Sequence, residues 1–131
     1  MHTRLLMSAS AAFLLALGLL ATFAPQQLLE RVGSSPQPAL DLVVQLSGSL
    51  YLGFAALNWM AKDSLIGGIY SRPVAIGNLF HFFIGAVSLI KSLAAAPRHP
   101  EVLPVALPHT IFAAWFALVV FRSPVRSLQP R

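Results

Sequence analysis

Asn78 and His81 lie three residues apart in an otherwise apolar run, so on a helix they share one face. Gly85 and Ser88 continue that face. In the apolar run before it, Ser47, Tyr51 and Asn58 stand at i, i+4 and i+11 and share a face of their own. Antiparallel packing of the two runs brings Asn58 near Asn78 and His81, about 5–10 Å inside the cytoplasmic boundary by helical rise. Tyr51, Asn58, Asn78 and His81 are therefore the candidate ligand-binding residues. They suit a small polar pocket near the cytoplasmic face that accepts a lipid-like or quinone-like molecule, with His81 as hydrogen-bond donor or proton carrier. They suit a structural role first, because interhelical polar pairs contribute about 0.5–2 kcal/mol to helix packing in a membrane.

His109 follows Pro108 in the last apolar run, placed to satisfy a backbone carbonyl that the proline frees. Counted from the inner boundary, His81 and His109 differ in depth by roughly 8 Å, which argues against a shared metal or haem. No catalytic residue, metal site or cofactor is read from the chain. Cysteine is absent, and Asp41 and Asp63, the carboxylates closest to the apolar runs, both sit at boundaries. HExxH, GxSxG and Walker patterns are missing. So are a buried ionisable relay for proton-driven transport and a polar path for a channel.

The elements that must position these groups follow from composition. Of 131 residues, 56% are hydrophobic and only 10% charged, against about 25% charged in an ordinary soluble domain. Four stretches free of Asp, Glu, Lys and Arg run from Leu5 to Gln27, Leu42 to Ala61, Pro73 to Ile90 and Val102 to Phe121. About 20 helical residues cross the hydrocarbon core, and Lys91 can snorkel while residues 92–96 lengthen the third. The expectation is an all-α, antiparallel up-down bundle of four transmembrane helices, at about 5–24, 41–61, 73–94 and 102–121, in a single membrane domain over 1–131. The first run exceeds the usual signal-peptide core and its small-residue exit is followed by Pro25, so it reads as a retained helix. Residues 26–32 are mildly amphipathic and suit the membrane interface. Asp41 favours the start of the second helix through the helix dipole, and Pro73 fits the first turn of the third. Gly67 and Gly68 mark the connection before it, and Pro97, Pro100 and Pro104 the connection after it. Pro108 is expected to kink the fourth helix or delay its regular start.

Net charge is +5, with the basic residues at the ends of the runs rather than along one surface. That placement orients a membrane protein and touches lipid headgroups; no basic stripe points to nucleic acid. Arg4, Lys62, Arg72, Arg122, Arg126 and Arg131 fall on one side, and Arg31, Lys91 and Arg98 on the other, which gives N-in and C-in. Small residues mark expected helix contacts: Ala9, Ser10, Ala12 and Ala16 in the first helix, Ser49 and Gly53 in the second, Gly77, Gly85 and Ser88 in the third. Phe23, Trp59, Tyr70 and Phe121 suit the interfacial belt, while Trp115 lies deeper and packs. Expected partners are membrane lipids, together with a second copy or a larger membrane protein. The expected setting is a bacterial inner (plasma) membrane.

The segments FAPQQLLERVG, LSGSLYLGFAALNWMAKDS and GGIYSRPVAIGNLFHFFIGAVSLIK resemble small four-helix membrane proteins of the DoxX-like and DUF4345-like type. The resemblance spans most of the chain and rests on architecture and on Gly, Pro and Asn placements. It implies a four-helix fold and a non-catalytic accessory role, since some DoxX-like members are associated with respiratory or redox complexes. It carries over no catalytic residue.

Overall fold

The computed structural model describes residues 3–35, 37–64, 71–95 and 100–122. Gly67, Gly68, Tyr70, Pro97, Arg98, Arg126 and Arg131, which the sequence reading used, lie outside these. Among the described residues five α-helices follow in order: α1 (Thr3–Phe23), α2 (Pro25–Arg31), α3 (Pro38–Ala61), α4 (Arg72–Ala95) and α5 (Leu103–Arg122), the last entered through a 3-10 turn at Pro100–Val102. Helices α1, α3, α4 and α5 are long and apolar enough to cross a membrane. The shortest, α5, has 20 residues and reaches about 30 Å.

Prolines set several of the boundaries. Pro25 opens α2 and Pro38 opens α3, positions where a missing N–H costs no helical bond. Helix α3 therefore starts three residues before the expected position 41. Asp41 lies in its first turn, where a negative charge meets the positive end of the helix dipole. Residues 26–32, expected to be amphipathic at the interface, fall in α2 except for its C-cap Val32, with Pro25 and Leu29 buried and Gln26, Gln27, Glu30 and Arg31 exposed. Pro108 sits inside α5 but does not delay its start, since the helix is already regular from Leu103.

Pairs of contacts fix the register. Helix α1 runs antiparallel to α3: Gly48 meets Thr22, Gly18 meets Leu52, Ser10 meets Asn58, and Arg4 meets Asp63 just past the helix end. Helix α4 runs antiparallel to α5, with Gly85 against His109 and Phe82 against Phe112 and Phe116. The bundle is thus two helical hairpins laid side by side. Between them Phe13 of α1 meets Phe82, His109 and Phe112 at centroid distances of 6.5, 5.4 and 5.7 Å, an aromatic core shared by both hairpins.

Backbones approach most closely where α1 crosses α3. A Cβ on Gly48 would lie 2.8 Å from Thr22 N and 3.0 Å from Gly18 O, and a Cβ on Gly18 would lie 2.7 Å from Leu52 Cγ. Such close approach supplies dispersion contacts in lipid, where burial of apolar surface gives helices little reason to associate. The expected pair Ser49 and Gly53 points elsewhere: Ser49 is exposed, and a Cβ on Gly53 would meet nothing within 4 Å. Ala12, Ala16 and Ser88 are exposed as well, whereas Ser10 is fully buried. Polar contacts tie the hairpin ends: Arg4 Nε to Asp63 Oδ1 at 3.1 Å, and Gln26 Nε2 donating to Asp41 Oδ2 at 3.2 Å. Trp115 packs against the core; Trp59 is exposed beneath the Lys62 ammonium at 3.6 Å, a cation–π contact suited to a headgroup region.

Gly48→Leu should therefore destabilise the protein by about 1–3 kcal/mol, the usual range for forcing extra atoms into a packed contact. Gly53→Leu should leave stability nearly unchanged. Reversible denaturation in mixed micelles checks this, and equal losses for the two variants would contradict the assigned crossing.

Candidate functional site

The four candidate residues divide into two groups. Asn58, near the end of α3, and Asn78, in the second turn of α4, are both fully buried and face each other. Asn58 Nδ2 donates to Asn78 Oδ1, and Asn78 Nδ2 donates to Asn58 Oδ1, both at 2.7 Å. The second hydrogen of Asn58 Nδ2 goes to Ser10 Oγ at 3.0 Å, and that of Asn78 Nδ2 to the Val74 carbonyl at 2.9 Å. Each amide has two donor hydrogens and one carbonyl, so every amide hydrogen is used. This pair binds the hairpins together and offers a ligand no spare donor.

Tyr51 and His81 belong elsewhere. They line a cleft of about 440 Å³ between α3 and α4, with Ser47, Leu50 and Phe54 on the α3 wall. Helix α4 contributes Gly77, Phe80, Ile84 and Gly85 as well as His81, and His109 of α5 closes the back. Leu50, Phe80 and Ile84 are all more than half exposed, so the rim lies on the apolar outer surface of the bundle. The cleft lies toward mid-height of α3 and α4 rather than at the end held by the asparagines. A pocket of all four residues, expected near that end, does not form, because Asn58 and Asn78 satisfy each other.

Aromatic geometry holds His81 in place. Its ring stacks on Phe54 at 4.8 Å and 26°, and meets Tyr51 edge-on at 5.5 Å and Phe82 at 5.0 Å. Rings rather than backbones therefore bridge α3 and α4 here. Gly77 reflects the same spacing, since a Cβ on it would meet only Phe54 Cε1, at 3.9 Å. His81 Nε2 is buried and has no hydrogen-bond partner among the described residues.

His109 is the cleft residue whose place the sequence did not show. Its Nδ1 donates to the Val105 carbonyl at 2.8 Å. The carbonyl that Pro108 frees is that of Pro104, four residues before it, so His109 bonds the next carbonyl along rather than the expected one. The rings of His81 and His109 are 5.8 Å apart, closer than the expected depth offset of roughly 8 Å. Gly85 explains the difference. A Cβ there would lie 2.7 Å from His109 Cδ2, so only glycine lets the imidazole lie against α4 at this level. Gly85 is one turn beyond His81, a rise of about 6 Å. A histidine opposite a glycine one turn from another histidine was the available signal, but reading it requires the α4–α5 register.

If the asparagines form a lock, Asn58→Leu alone should cost about 1–3 kcal/mol by leaving Asn78 with unmet bonds. The double variant Asn58→Leu/Asn78→Leu should recover part of that loss. A double-mutant cycle in micelles checks it, with purely additive losses as the contrary result. No family model matches the chain, and no curated protein or solved structure shows significant similarity to it.

Proposed function

We propose that this is a small integral membrane protein of a bacterial inner membrane, oriented N-in and C-in, that holds a lipid-like or quinone-like molecule in the α3–α4 cleft. The observation that carries this reading is His81, whose ring lines a cleft with an apolar rim and whose buried Nε2 has no partner among the described residues. Pockets for small ligands combine this kind of apolar lining with a few placed polar groups. An unmet polar atom at membrane depth is costly, and a ligand oxygen would meet it. The role is binding rather than catalysis, since among the described residues the cleft is lined by no carboxylate or thiol.

A second reading is a structural or accessory subunit that assembles with another copy or a larger membrane protein, in the manner implied by the DoxX-like and DUF4345-like resemblance. It is favoured by the use of Asn58 and Asn78 for packing, and by the small outward surface at Ser49 and Gly53.

Native mass spectrometry of protein released from its own membrane separates the two. The cleft reading expects a retained small molecule in the wild type and its loss in His81→Ala, with the variant still showing a cooperative melt. Wild type that carries only partner subunits, or nothing, would favour the second. Orientation is testable because the chain has no cysteine. In intact cells an impermeant maleimide should label Ser35→Cys, in the exposed loop before α3. Ser64→Cys, exposed in the turn after α3, should react only after permeabilisation.

A further inference from the structure

Resting on the cleft reading, we infer the chemical class of the occupant: an uncharged amphiphile whose polar end is a hydroxyl on an aromatic ring, placed between His109 and His81. Hydrogen-bond direction at His109 calls for a donor. A backbone carbonyl only accepts, so the 2.8 Å contact to Val105 requires a hydrogen on His109 Nδ1. In a neutral imidazole that leaves Nε2 as an acceptor. An acceptor needs a donor, and carbonyl, ether and ester oxygens supply none. His81 Nε2 is buried without a partner among the described residues; with its hydrogen on that nitrogen and the covered edge of the ring turned to the cleft, it donates to the ligand oxygen. One hydroxyl meets both needs, giving its hydrogen to His109 and accepting from His81. The two ring centroids are 5.8 Å apart, and both imidazoles line the cleft.

No Lys or Arg lines the cleft among the described residues. A phosphate or carboxylate seated there would be a bare anion in apolar surroundings, which is far more costly than an uncharged hydroxyl. Tyr51, Phe54 and Phe80 line the same cleft as the imidazoles and offer ring faces and edges to an aromatic head.

The test uses three amphiphiles with the same tail: para-dodecylphenol, its methyl ether, which keeps the oxygen and loses the donor, and para-dodecylbenzoate, which is anionic. Each is titrated into the full-length protein in lipid nanodiscs, with empty nanodiscs subtracted, and followed by calorimetry. The phenol should bind at least tenfold more tightly than the ether, and the benzoate should not compete. In His109→Phe the preference for phenol over ether should vanish. If that variant does not fold, the wild-type ratio of phenol to ether decides alone. Equal affinity for phenol and ether would overturn the hydroxyl inference and leave the cleft reading intact. Failure of all three probes, together with wild type that carries no small molecule from its own membrane, would overturn both.

Discussion

The reciprocal amide pair of Asn58 and Asn78 is the contact on which the arrangement of the bundle depends. Four hydrogen bonds converge there, drawing on α1, α3 and α4. Polar contacts between membrane helices contribute only about 0.5–2 kcal/mol each. Their greater effect is on specificity, because any other register of α3 against α4 leaves amide hydrogens unmet in an apolar interior. With the asparagines paired, Tyr51 and Phe54 are carried to the level of His81, and the position of the cleft follows.

The glycines explain why a cleft exists at all. Gly18 and Gly48 bring α1 and α3 close together, and Gly85 lets His109 settle on α4. Between α3 and α4 no such crossing is made: Gly53 faces open space, and Gly77 looks onto the edge of Phe54. The two helices are joined by amides at one end and held apart by stacked rings along their middle. The space they leave is lined by residues from both hairpins, so its shape depends on how the hairpins sit together rather than on either one alone.

Much of this was legible in the residues. Charge-free runs located the four long helices to within a few residues, and Pro73 marked the first turn of α4, whereas Pro104, expected in the connection, lies in the first turn of α5. Antiparallel order was enough to bring Asn58 to Asn78. What could not be read was rotation about each helix axis. These helices are apolar nearly all round, so no polar face fixes which side turns inward. Ser49 and Gly53 were the expected contact of this helix, yet Gly48 makes it, because its partners Thr22 and Gly18 lie in α1. For the same reason Tyr51 and His81 could not be separated from the asparagines, nor His109 joined to them. Those assignments depend on relations between helices, and single-helix periodicity does not contain them.

The division into two hairpins also bears on how the protein is made. With insertion in chain order, α1 and α3 would enter the bilayer ahead of α4 and α5, and each asparagine would wait in lipid for the other. Both have provision for that interval. Asn58 already has Ser10 within its own hairpin, and Asn78 already has the Val74 carbonyl within its own helix. Each half can therefore be inserted with its amide partly satisfied, and docking of the second hairpin completes the pairing. Biogenesis would then proceed by joining two separately tolerable pieces, with the last amide bonds formed serving to verify that the right pieces have met.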